Sequence, residues 1–148
     1  MNKNAGFTLM EIMLALAVLG VLVAIAIPSY DRYIERTRTA QVITDMRSIE
    51  VSIGSYKLDY DAYPPNLAAI GMGGMLDPWG NPYQYLNLET GNPGRARKDH
   101  NLVPINTDFD LYSMGPDGRS NPPLTAQASR DDIVRANNGA YMGPASEY

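Results

Sequence analysis

A chain of 148 residues with a formal charge of −4 has room for one domain. Once its apolar N-terminal stretch is set aside, roughly 120 residues remain for a modest core. Its basic residues are scattered (Arg32, Arg36, Arg38, Arg47, Arg95, Arg97, Lys98), which excludes a broad nucleic-acid patch, and the absence of cysteine excludes disulfides, thiol nucleophiles and thiolate metal sites.

The first element is "GFTLMEIMLALAVLGVLVAIAIP", Gly6 to Pro28. Its 21 residues from Phe7 to Ile27 contain one ionisable side chain, Glu11. As a helix they would span about 31 Å, the thickness of a bilayer core. A cleaved secretory signal has a shorter apolar core after a basic start, and its small-residue cleavage site follows that core. Here the run is longer and the small-residue site precedes it. Basic residues do not fix an orientation, since Lys3 precedes the span and Arg32, Arg36 and Arg38 follow it. A carboxylate in hydrocarbon costs about 2.5–3.5 kcal/mol on insertion scales, so Glu11 needs a partner unless it snorkels to the headgroups.

After Pro28 the pattern turns amphipathic. Val42, Met46, Ile49, Ile53, Tyr56 and Tyr60 recur at spacings of four and three, one apolar stripe along a helix, while Asp45, Arg47, Glu50 and Lys57 take the opposite side. Gly20 and Pro28 are candidate kinks, and Pro64-Pro65 stops the helix by Tyr63. The segment "PPNLAAIGMGGMLDPWGNP" reads as a packed loop with a helical turn near Leu67 to Ile70, in which Trp79 caps the core between two turns. Tyr83 to Leu88 and Phe109 to Met114 read as strands, so two or three antiparallel strands are expected. The intervening "ETGNPGRARKDHN" reads as a solvated loop that includes Arg95, Arg97 and Lys98.

The end segment turns at Gly115-Pro116-Asp117-Gly118 and reaches an adjacent acid pair, Asp131 and Asp132. Calcium takes six to eight oxygen ligands, which a loop converging three acids could supply. The EF-hand pattern is absent, because the sixth position from Asp108 is Ser113 and the twelfth is Arg119. Spacing alone leaves two readings, solvated turn acids or metal ligands. Asn137-Asn138-Gly139 marks a further turn, and the last residues are expected to be loose. No catalytic motif is present. The single histidine, His100, sits in a charged loop, and no phosphate-binding loop, dinucleotide fingerprint, zinc-binding pair or serine elbow occurs, so the chain is expected not to be an enzyme.

Lys3-Asn4-Ala5-Gly6, then Phe7-Thr8-Leu9-Met10-Glu11, then an apolar helix reaching Pro28, closely resembles the class III signal of type IV pilins and type II secretion pseudopilins. "DPWGNPYQY" is similar to the major, G-type pseudopilins. The resemblance implies an α+β, type IV pilin-like fold, with a long N-terminal helix packed on a small antiparallel sheet. Its transmembrane half is 7–28, its amphipathic half belongs to a periplasmic head, 29–148, and residues 1–6 form a leader. It further implies cleavage between Gly6 and Phe7 by the prepilin peptidase, methylation of the Phe7 amine, and a role for Glu11 in meeting the N-terminal amine of a neighbouring subunit during assembly. Implied partners are further copies of the chain, minor pseudopilins and an inner-membrane assembly platform driven by an ATPase. The implied location is the bacterial inner membrane and then a periplasmic filament.

In the G-type pseudopilins a similar "L-x-S-x-G-x-D-G" stretch holds a structural calcium. Carried over, Asp117, Asp131 and Asp132 would be carboxylate ligands, with Ser113 or Met114 giving carbonyls. The chain departs from that pattern, since twelve residues, Arg119 to Arg130, separate Gly118 from Asp131 without the glycine-rich run. The implied function is a pseudopilus subunit of a type II secretion system. The alternative is a type IV pilus subunit for adhesion, motility or DNA uptake. An electron-transfer filament built on the ten tyrosines and two phenylalanines is disfavoured because packing explains most of them, and a monomeric anchored domain is disfavoured by the leader and Glu11.

Overall fold

The computed structural model describes residues 6–148, which divide into two compact units between Thr37 and Arg38. The leader positions Lys3, Asn4 and Ala5 lie outside the described residues. Helix α1, Leu9–Tyr60, has 52 residues.

In the first unit every residue from Gly6 to Tyr33 is exposed, and between Leu9 and Ile27 the surface is apolar on all sides apart from Glu11. The helix assignment runs unbroken through Gly20 and Pro28, the two candidate kinks. Pro28 offers no N–H to the Ala24 carbonyl, but one missing bond does not end so long a ladder. Beside it the Ser29 hydroxyl donates to the Ile25 carbonyl (3.0 Å) and Arg32 Nε donates to the Pro28 carbonyl (3.1 Å).

In the second unit the stripe read from the sequence is the core. Val42, Met46, Ile49 and Ile53 are fully buried against Leu67, Tyr83, Phe109, Leu111 and Ile133, each worth about 1.5–3 kcal/mol of transfer free energy. The stripe then leaves the core, since Tyr60 is exposed and stacks on Tyr56 with ring centroids 4.4 Å apart. At the C-terminus Asp61 adopts a positive φ of 52°, the left-handed position that ends many helices, and the two prolines follow. Asn66 caps the expected turn at Leu67–Ile70 by accepting from the Ala69 N–H at 3.1 Å.

Four antiparallel strands form a meander in chain order: β1 Gln84–Asn87, β2 Phe109–Ser113, β3 Ile133–Ala136 and β4 Tyr141–Pro144. The sequence predicts two or three antiparallel strands, two of them placed, and the sheet has four, with β3 and β4 beyond those placed. The sheet is covered on both sides. Phe109, Leu111 and Ile133 face α1, whereas Val134 and Ala136 pack with Ile105, Leu124 and Ala145.

The C-terminus corrects the expectation of a loose tail. Tyr141 and Tyr148 rings lie 5.2 Å apart, Tyr148 Oη donates to Asn137 Oδ1 (2.9 Å), and Tyr141 Oη donates to the Pro144 carbonyl (2.7 Å). Asn137 and Asn138, both at φ 52°, make the turn that the sequence marks.

One buried cation joins helix to sheet. Arg135 on β3, 3% exposed, donates from Nε to Glu50 of α1 (2.7 Å) and grips Asp108 with both terminal nitrogens (2.9 and 2.7 Å). Its guanidinium lies 3.9 Å from the Phe109 ring centroid, so charge and aromatic packing hold the same group.

Candidate functional site

Two places in the chain concentrate polar chemistry, the start of α1 and the β2–β3 loop. At the first, Thr8 and Glu11 form a reciprocal capping box. The Thr8 N–H and hydroxyl donate to Glu11 Oε2 at 2.8 and 2.9 Å, and the Glu11 N–H donates to Thr8 Oγ1 at 3.3 Å. Helix starts leave N–H groups unpaired, and in hydrocarbon no water is available to meet them, so the box serves a need that the membrane sharpens. Thr8 is a residue the sequence reading did not single out, although the [ST]-x-x-E spacing before an apolar run signals it. Glu11 remains exposed, as does Phe7, and no side chain of the described residues covers the apolar window behind them.

At the second place, the turn after β2 docks on the tryptophan turn. Asp77, 4% exposed, organises both: its Oδ1 accepts from the Trp79 and Asn81 N–H groups (3.0 and 2.9 Å), and its Oδ2 accepts from the Ser113 hydroxyl (2.6 Å). Asn81 in turn donates to the Gly115 carbonyl at 2.8 Å. Trp79 is half-buried against the main core, as expected of a cap. Gly115 has φ 61°, and a Cβ there would stand 2.3 Å from the Asp131 carbonyl, so this close backbone approach requires glycine.

The three acids expected to share an ion do not converge. The Asp117 N–H donates to Asp131 Oδ2 (3.3 Å), and Asp117 Oδ1 accepts from the Arg119 N–H (2.7 Å). Asp132 turns elsewhere, because it lies on the β3 face shared with Val134 and Ala136, and alternation sends its neighbour Asp131 the other way. Among the described residues, no three carboxylate or imidazole side chains stand together as a metal shell would need. Ser113 is buried at the end of β2 with its hydroxyl on Asp77, and Met114 is half-buried; the resemblance implied their main-chain carbonyls as ligands.

Asp132, fully buried, meets Arg97 instead. Arg97 Nη2 donates to Asp132 Oδ2, Nη1 donates to Ser120 Oγ and to the Asn121 carbonyl (2.6 Å), and the guanidinium lies 4.3 Å from the Tyr112 ring centroid. Ser120 Oγ also donates to Asp132 Oδ2 at 2.6 Å. Burial pushes the Asp132 carboxyl up to about 6, while the Ser120 hydrogen bond and the Arg97 charge pull it down. Asp132 Oδ1 and Arg97 Nε have no hydrogen-bond partner among the described residues. Asp132 Oδ2 is already taken by Arg97 and Ser120, and the positive guanidinium beside this carboxylate opposes a divalent ion on its other oxygen. The donor set as expected therefore does not fit calcium. Arg97 itself corrects the sequence reading, which placed it in a solvated loop, for it is 2% exposed. His100 is exposed as expected.

An unburied apolar helix with a capped N-terminal glutamate, continuing into the core of a four-stranded head, defines a pilin-like subunit, and residues 1–27 match the family model described as the prokaryotic N-terminal methylation motif. The chain is 31% identical over 139 aligned positions to the type II secretion system core protein G of Pseudomonas aeruginosa, covering 80% of this chain and 87% of that one. Its identity to the protein of the same name from Klebsiella pneumoniae is 31% over 154 positions, covering 90% and 94%. The chain belongs to the type II secretion system core protein G family. A fimbrial protein of Neisseria meningitidis is 29% identical over 86 positions, 58% of this chain and 51% of that one. No solved structure matches the chain at a significant level.

Proposed function

We propose that the chain is a structural subunit that polymerises into the periplasmic pseudopilus of a type II secretion system, supports export of folded proteins across the outer membrane, and performs no catalysis of its own. The observation that carries this reading is the exposed apolar surface of Phe7 to Ile27, which lies within the match to the methylation motif, residues 1–27. Such a surface is stable only in lipid or against other helices, and a subunit that moves from bilayer to fibre core meets both in turn.

The leader, residues 1–6, is removed by the prepilin peptidase between Gly6 and Phe7, and the Phe7 amine is methylated. Glu11 then meets that amine on a neighbouring copy, which sets register as the subunit joins. The head faces the periplasm from the inner membrane, and the assembly platform and minor pseudopilins are the other partners. Glu11→Ala in cells that depend on the chain for secretion is expected to leave cleavage intact and to abolish fibres and export. Fibres and secretion at the parental level would overturn the reading. The fimbrial relative favours the second reading, a type IV pilus subunit, which long surface fibres without a secretion defect in a deletion strain would support.

A further inference from the structure

We infer that an internal arginine, Arg97, closes the β2–β3 loop of this head in place of a bound cation, so that the folded head is independent of calcium. The oxygens that Arg97 gathers are a carboxylate, a hydroxyl and a main-chain carbonyl, from Asp132, Ser120 and Asn121. These are the donor types a hard cation takes from a loop. Ser120 and Asn121 open the twelve-residue stretch, Arg119 to Arg130, that parts Gly118 from Asp131, and Asp132 lies just past its end.

Arg97 is itself held at both main chain and side chain. Its main-chain N–H donates to Asp110 Oδ2 (2.7 Å), its carbonyl accepts from the Ile105 N–H (3.0 Å), and its guanidinium lies over the Tyr112 ring. The next residue extends the seam, since the Lys98 N–H donates to the Pro122 carbonyl and the Leu124 N–H donates to the Lys98 carbonyl, both at 2.9 Å. A guanidinium stays charged at any pH the protein meets and cannot be removed by a chelator. Asp117 and Asp131 are left on the far side of the turn, where each already accepts a main-chain N–H.

The full chain in detergent micelles gives the test. Its thermal midpoint is expected to be the same in excess chelator and in excess calcium, and a calcium-dependent rise in the parent overturns the inference. Trypsin reports the loop directly, because Arg119 and Arg130 are exposed at its ends. Arg97→Met is expected to speed cleavage at those two sites at least about tenfold in either solution, and Arg97→Lys by less. Cleavage no faster than in the parent overturns the inference. Should Arg97→Met fail to accumulate, Ser120→Ala removes one guanidinium partner while keeping the ion pair. It is expected to raise cleavage by a smaller factor, and no rise overturns the inference as well. These readouts concern the head alone, so their failure is separable from failure of fibre assembly.

Discussion

Replacing Arg135 with methionine should cost the head about 3 kcal/mol, and the structure sets that figure. The guanidinium is 3% exposed and satisfies Glu50, both oxygens of Asp108 and the Phe109 carbonyl. Breaking a buried ion pair from one side costs about 3–5 kcal/mol, because the orphaned charge stays where water cannot reach it. Here the orphans are on the rim, with the Asp108 and Glu50 side chains 18% and 23% exposed, which selects the lower end. The methionine chain keeps the contact with Phe109, so little is lost from packing. For a unit the size of residues 38–148 the unfolding entropy is about 0.23 kcal/mol/K, so the thermal midpoint should fall by about 13 °C. Calorimetry of the full chain in detergent measures it, and Glu50→Gln combined with Arg135→Met closes a double-mutant cycle whose coupling should be on the order of 1 kcal/mol or more. A fall of less than about 3 °C, or a coupling near zero, would refute the view that this cation ties α1 to the sheet.

Gly115→Ala should destabilise by on the order of 2–4 kcal/mol, since it imposes a left-handed backbone on alanine and drives its Cβ into the Asp131 carbonyl; a midpoint equal to the parent would show that the turn yields freely. The Asp132 carboxyl is raised to about 6 from 3.8, so its contribution is complete below about pH 3.8 and shrinks as pH rises through 6. Arg97 is one of the groups holding that value down, so the gap in midpoint between Arg97→Met and the parent should widen from about pH 4 to about pH 7. A gap that stays constant would mean that Arg97 acts through packing alone.

The parts of the fold that obey a single period were legible. The stripe from Val42 to Ile53 follows helical spacing and became the core, and β1 and β2 lie within the strands expected from their composition. β3 was not legible because Ile133, Val134, Arg135 and Ala136 are all buried, which erases the alternation that identifies a strand with one wet face. β4 contains Gly143 and Pro144, residues that argue against a strand until an edge position is known. The end loop failed for a different reason. Three acids close in sequence suggested one site, yet adjacent side chains near a strand diverge, and the partner of Asp132 comes from 35 positions away. Arg97 stands between Arg95 and Lys98 and looked solvated, since nothing in its own neighbourhood announces Ser120 or Tyr112. At the apolar end of α1, Thr8 is readable from its [ST]-x-x-E spacing to Glu11.

The meander also sets an order of events for a chain that is made from its N-terminus. Each strand pairs with the one just before it in sequence, so the sheet can grow by local additions that cost little loop entropy. Helix α1 is completed later. Leu67 and Tyr83 reach its apolar stripe early, but Phe109, Leu111 and Ile133 close that stripe only when β2 and β3 arrive, and its bond to the sheet through Glu50 and Arg135 spans 85 positions. Until β3 has been made, a newly synthesised chain therefore exposes a second sticky face beyond that of Phe7 to Ile27, and that interval is when it is most exposed to proteases and to premature association with its neighbours.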